Sequence, residues 1–201
     1  MNSQAQSHLF WGINSPLTTL TGSGLLIIAS GRISFALVCG MALIWVYVFS
    51  LCAAKLGKLP PPGRAPALLF LSALGACIFF VVLWILNPIL ALESSFFIFL
   101  SPVVFTASRL CERVWDFDMA EGLSQAVTEA LILGILILGL SLIREPLGFG
   151  SVSVPGLDSI RFIQEEPLRI LQASSGALII LGYGIAVYRY FRNRYTNSED
   201  D

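Results

Sequence analysis

Charge is what this sequence has least of. Of 201 residues, 12 are Lys or Arg and 13 are Asp or Glu, about half the charged share of a soluble domain (roughly 25%). The formal net charge is −1, which leaves no basic field for a polyanionic partner. Histidine is scarcer still: His8, the only one, lies in the N-terminal tail and cannot build a metal centre or an acid–base pair alone. The four cysteines, Cys39, Cys52, Cys77 and Cys111, form no CxxC pair, which excludes the usual zinc and disulfide frameworks and leaves them as small packing residues. Met1–Leu9 contains no Lys or Arg, so the chain is expected to lack a cleaved secretory leader. A glycine-rich phosphate loop, a nucleophile–base pair and an HExxH motif are all missing.

What remains is apolar, 56% of the chain, in blocks of membrane-spanning length. A helix needs roughly 20 apolar residues to cross a ~30 Å hydrocarbon core. Six segments are placed on this basis, the fourth of them short: Phe10–Ala29, Ile33–Ala54, Ala67–Leu92, Ser94–Ser108, Leu123–Ile143 and about Leu171–Tyr190. The linker Lys55–Pro66 carries Pro60-Pro61-Pro62-Gly63, which cannot continue a helix, and Pro88 interrupts the third segment near its end. The polar stretch Arg144–Arg169, with a turn at Pro155-Gly156, separates the last two segments. The expected fold is therefore an all-α membrane protein, residues 1–201 forming a single integral domain that ends in a short polar tail, 193–201.

The positive-inside bias sets the orientation. With a cytoplasmic N-terminus, the cytoplasmic side receives Lys55, Lys58, Arg64, Arg109, Arg113, Arg189, Arg192 and Arg194. The opposite side receives Arg32, Arg144, Arg161 and Arg169. Both termini are thus expected inside, as six crossings require. Trp11, Trp115, Tyr188 and Tyr190 suit an interfacial belt.

Two segments are unlike ordinary spans. The first holds Asn14-Ser15-Pro16, Thr18, Thr19, Thr21, Gly22, Ser23 and Gly24, and the short fourth holds Ser94, Ser95, Ser101 and Pro102. Interrupted segments at corresponding places in two halves point to a 3+3 inverted repeat with discontinuous first and fourth helices, the halves covering about 10–92 and 93–192. Small residues that simply let helices pack closely are the alternative. If the helices are broken, Gly22, Gly24 and Pro102 are expected to mark the breaks.

These segments also carry a resemblance. Asn14-Ser15-Pro16-Leu17 followed by Leu20, Gly22, Gly24, Leu25 and Leu26, then Ser101-Pro102-Val103-Val104 leading to Ser108 and Arg113, form an ordered series. It continues with Arg144-Glu145-Pro146-Leu147-Gly148-Phe149-Gly150 and with Gly176-Ala177, Ile179, Leu181 and Gly182. The chain resembles, almost end to end, the paired six-helix membrane subunits of Rnf- and Nqr-type respiratory complexes, and looks closer to the Rnf E/Nqr D type. In that family the two oppositely oriented subunits each supply one cysteine from each broken helix to an iron–sulfur cluster. The resemblance puts Gly24 and Ser108 at those two positions, and neither offers the soft thiolate that such a cluster takes. Cys111, three residues beyond Ser108, would lie about 4.5 Å further along a helix and is the one candidate for a shifted ligand. No cofactor is therefore expected in this chain, although a cluster shared with a partner subunit is what the family implies.

Three charged residues inside or at the edge of apolar segments are candidates for function: Glu129, Arg144 and Glu145. Glu129, beside Gln125 and Thr128, reads either as a functional acid or as a hydrated interfacial one. Arg144 and Glu145 read either as functional or as interfacial anchors at a helix stop made by Pro146 and Gly148. Glu112, Asp116, Asp118 and Glu121, with Arg109 and Arg113, read as a solvated turn. No catalytic residue is expected.

The function implied by the resemblance is a non-catalytic subunit of an ion-translocating NADH/ferredoxin/quinone oxidoreductase in a bacterial inner membrane. It would pair with an oppositely oriented homologue and serve a structural or ion-pathway role, with Na+ or H+ as the coupled ion. The competing expectation is a small inverted-repeat transporter with Thr18, Thr19, Thr21, Ser23, Ser101 and Thr106 lining its midplane.

Overall fold

The computed structural model describes residues 29–57, 64–108, 115, 118–153, 160–161, 176–180, 182–184 and 186–187. Four helices among these are long and apolar enough to cross a membrane. They are α1 (Ile33–Gly57), α2 (Arg64–Leu86), α3 (Pro88–Ala107) and α4 (Met119–Phe149). Residues 176–180, 182–184 and 186–187 are also helical and fall within the expected sixth segment. The expected first segment lies almost wholly outside the described residues; its last residue, Ala29, is helical and buried.

Helix α1 is the central element. It carries buried residues around its circumference, including Ala36, Val38, Cys39, Ala42, Leu43, Val46, Tyr47 and Leu51. It packs against each of α2, α3 and α4. Helix α4 runs antiparallel to it, with Ile33 beside Glu145 and Gly40 facing Gly134. A Cβ added to either glycine would lie 3.6 or 3.5 Å from the Cα of the other, so the two backbones cross in van der Waals contact. In lipid, where burying apolar area gives little drive, such close approach supplies the packing that holds helices together. Small residues, Gly122, Ala126, Ala130, Gly134 and Ser141, make up half of the buried residues of α4, with Leu133 and Ile137 buried on either side of Gly134.

Helix α3 runs parallel to α1, with Phe35 against Phe97 and Tyr47 edge-on to Phe105 at a centroid distance of 5.0 Å. Helix α2 lies outside, fastened by Trp45 Nε1, which donates to the Gly75 carbonyl over 3.1 Å. Its other face exposes Leu69, Phe70, Leu74, Ile78, Val81, Val82 and Ile85. In water that patch would drive aggregation; a bilayer is its natural solvent.

Several expected boundaries are corrected. The third segment stops at Leu86, not Leu92, and the fourth begins at Pro88, not Ser94. Asn87 is extended (φ −152°, ψ 95°) and its side chain accepts from Leu90 N–H, while Pro88 occupies the first helical turn, where its missing N–H costs nothing. The boundary between these two helices, expected at 92/93, therefore falls at Asn87. The fourth helix is also not broken at Pro102: α3 runs through it to Ala107. Proline deprives the Ile98 carbonyl of its helical donor, and the hydroxyl of Ser101 donates to that carbonyl instead, over 2.6 Å. The expected breaks at Gly22 and Gly24 lie outside the described residues.

Helix α4 extends beyond the expected Leu123–Ile143 at both ends and takes in Arg144 and Glu145. It closes on Gly150 in the left-handed region (φ 64°), whose N–H donates to the Pro146 carbonyl at 3.0 Å. Two short strands follow, β1 (Ser151–Val152) and β2 (Ile160–Arg161), paired antiparallel, so the fold departs from all-α by one small ladder. Trp115, expected in an interfacial belt, packs partly buried against the core.

Candidate functional site

Among the described residues, buried polar groups concentrate where α1 begins and α4 ends. Serine hydroxyls elsewhere mostly serve their own helix: Ser50 donates to the Val46 carbonyl, Ser72 to Leu69 and Ser94 to Leu90. At the Ile33 end the pattern changes, and polar groups from distant parts of the chain meet.

Glu145 is 1% exposed. Its Oε2 accepts from the backbone N–H of Ile33 and its Oε1 from that of Ser153, both over 2.6 Å. Such short lengths are typical of bonds to a charged acceptor. Ile33 opens α1, so its N–H lacks an intrahelical acceptor and points along the positive end of the helix dipole. A carboxylate brought from α4 thus does what a local capping side chain does elsewhere. Arg144, 3% exposed, directs Nη1 at the Ser30 hydroxyl over 3.3 Å. The Ser34 and Ser153 hydroxyls share a 3.2 Å hydrogen bond. Just outside, the Arg32 guanidinium lies over the rings of Phe35 and Phe149 at 5.8 and 5.9 Å. Four parts of the chain (the turn before α1, α1 itself, the end of α4 and the strand after it) are drawn to one polar node.

Arg144 and Glu145, read from sequence either as functional or as interfacial anchors, are both buried. The helix stop itself is where Gly150, not Gly148, takes the left-handed conformation. The other members of the node, Ser30, Ser34, Ser153 and the Ile33 N–H, carry no signal in sequence, because each acts through a partner more than seven residues away.

The remaining candidates do not join it. Glu129 sits on α4 well before the node, half-buried between Ala126 and Ala130. Ser108 is 2% exposed and caps α3, with its hydroxyl donating to the Phe105 carbonyl over 2.6 Å. Gly24 and Cys111 lie outside the described residues. Cys39 is buried in α1, Cys52 is half-buried near its end, and Cys77 is exposed on α2. Among the described residues no three His, Cys, Asp or Glu side chains gather as a metal site. Ser108, a hard donor already engaged with its own helix, does not fit an iron–sulfur ligand. Ser101 and Thr106, expected to line a transport path, donate to the carbonyls of Ile98 and Val103 on their own helix.

No family model matches the chain. A protein of Treponema pallidum (strain Nichols), described as uncharacterized, is 31% identical over 195 residues, covering 88% of this chain and 90% of the relative. The chain belongs to one family with that treponemal protein.

Proposed function

We propose that the chain is an integral membrane subunit of an Rnf/Nqr-type ion-translocating oxidoreductase, with six crossings and both termini cytoplasmic. Its role is structural or ion-conducting, without electron carriage of its own. The observation that carries this reading is the Arg144-Glu145-Pro146-Leu147-Gly148-Phe149-Gly150 segment. The pattern that the resemblance rests on there coincides with a working unit: a buried Arg, a buried Glu that caps another span, a buried Gly148 and a left-handed Gly150. A motif whose residues each hold a specific position is a better guide than one scattered over lipid-facing sites.

The α1–α4 crossing supports an inverted repeat. In a 3+3 arrangement the second and fifth spans are each other's counterparts, related by a two-fold axis in the membrane plane. In this reading α1 and α4 are those two spans; they run antiparallel and meet reciprocally at Gly40 and Gly134. Arg32 and Arg144 lie at one end of the bundle and Lys55 at the other, in keeping with an external Ile33 end and a cytoplasmic Lys55 end.

Affinity purification of the native membrane complex in mild detergent tests this. The expected companions are an oppositely oriented six-helix homologue together with flavin- and ferredoxin-type subunits. Recovery of the intact chain alone, or as a homo-oligomer, from membranes in which those subunits are present would overturn the reading in favour of a free-standing transporter.

A further inference from the structure

Each oxygen of the Glu145 carboxylate is held by a different part of the chain. Oε2 holds the first N–H of α1, and Oε1 holds Ser153, which directly follows β1. The carboxylate itself belongs to α4. A second link, between the Ser34 and Ser153 hydroxyls, joins α1 to the same residue after the strand.

We propose that Glu145 is a latch that couples the position of the β1–β2 ladder to the entry of α1. The closed latch keeps Arg144 out of water. A charged carboxylate at 1% exposure is stable in a low-dielectric site only while both oxygens have donors. Loss of either N–H leaves a buried charge short of a partner, and water must enter to satisfy it. The water that rescues one oxygen also competes for the other, so the two bonds open together. Arg144, adjacent in sequence and held to Ser30 in the turn before α1, becomes accessible in the same event. Movement of the ladder is thereby transmitted to the α1–α4 pair, whatever presses on the ladder from outside. This inference is independent of the complex in which the chain works.

The test uses the full chain in lipid nanodiscs, with hydrogen exchange at the Ile33 amide and arginine-directed labelling of Arg144 read by peptide mass spectrometry. Ser153→Pro removes both the N–H on the strand side and the Ser153 hydroxyl. Glu145→Gln leaves only one good acceptor and turns its amide group toward the other donor. Ser153→Ala removes the hydroxyl link and keeps the N–H. Ser153→Pro and Glu145→Gln are both expected to raise Ile33 exchange and Arg144 labelling roughly tenfold, and Ser153→Ala to leave both near wild type. Should Glu145→Gln fail to fold, Ser153→Pro, which lies outside every helix, decides by its difference from Ser153→Ala. Faster exchange confined to residues 151–161 in Ser153→Pro, with Ile33 and Arg144 unchanged, would overturn the latch by showing two independent bonds. So would Ser153→Ala matching Ser153→Pro, which would assign the effect to the hydroxyl contact.

Discussion

Glycines divide into those that a methyl group would disturb and those that it would not, and α1 holds one crossing of each sort. At Gly75 an added Cβ would lie 2.7 Å from Phe49 Cδ1. Phe49 cannot easily yield, because its ring stacks on Trp45, whose indole N–H is tied to the Gly75 carbonyl. Gly75→Ala is expected to destabilise the α1–α2 contact by about 1–3 kcal/mol, the range for overpacking. It should also shift the Trp45 emission, read against a Trp45→Phe control and by thermal unfolding in detergent. At Gly40 and Gly134 the outcome differs. Either added Cβ meets the opposing Cα at an ordinary contact distance, so Gly40→Ala and Gly134→Ala should each change stability by less than about 0.5 kcal/mol. Made together, the two methyls point at one another, and the double variant should lose clearly more than the sum of the singles. A strictly additive double variant would mean that the backbones do not meet there. Neither pair was legible in sequence: a glycine in an apolar run looks the same whether it admits a neighbour or faces lipid. The partners of Glu145 were illegible for a related reason. Polar residues at the end of an apolar run suggest an interface, and its two donors come from elsewhere in the chain.

Among the elements, α3 shows how a local rule can be right in its physics and wrong in its outcome. Pro102 does remove a helical hydrogen bond, and a break there was the natural expectation. The compensation sits one residue earlier, in the Ser101 hydroxyl that reaches the Ile98 carbonyl. The true punctuation was Asn87-Pro88, where a side-chain acceptor and a donor-free residue together end one helix and open the next. That dipeptide is visible in the sequence, but the unbroken hydropathy on either side hid it, because lipid does not reward polar residues at a turn that is only one residue long. The central extent of α1 and α4, by contrast, was legible from apolar length alone, since a span must match the bilayer. The Ser101 assignment predicts a specific non-additivity. Ser101→Ala should cost about 1–2 kcal/mol, the expense of a buried carbonyl left without its donor. In a Pro102→Ala background, where a backbone N–H is restored to Ile98, the same change should cost almost nothing. Thermal unfolding of the four proteins in one detergent closes this cycle, and equal costs in both backgrounds would remove Ser101 as the reason that α3 stays whole.

For the whole molecule, the bilayer reading followed from scarcity of charge, and four long apolar helices agree with it. Sidedness and redox role lie further from what apolar length can express, and each has its own measurement. Reporter fusions at Gly63 and Ser198 are expected to read as cytoplasmic and one at Gly156 as external; an external signal at Gly63 would invert the orientation assigned from the basic residues. The redox question turns on two positions that the resemblance aligns with cluster ligands, Gly24 and Ser108. Glycine has no donor atom. The Ser108 hydroxyl is buried and hydrogen-bonded to the Phe105 carbonyl, so turning it toward a metal would uncap α3 as well as offer a harder ligand than iron–sulfur chemistry favours. The chain purified anaerobically with the oppositely oriented partner proposed for it should therefore contain no stoichiometric iron and no visible charge-transfer absorbance. If iron is present and is lost in Cys111→Ser, the ligand has moved about one turn along the chain from Ser108. If iron survives that substitution, the alignment of these segments with the family's ligand positions is itself wrong, because Cys39, Cys52 and Cys77 lie on α1 and α2, spans that do not hold those positions. An iron-free pair that still assembles would separate the two roles that such a subunit can play, leaving helix packing around the α1–α4 crossing, rather than electron carriage, as what selection has kept.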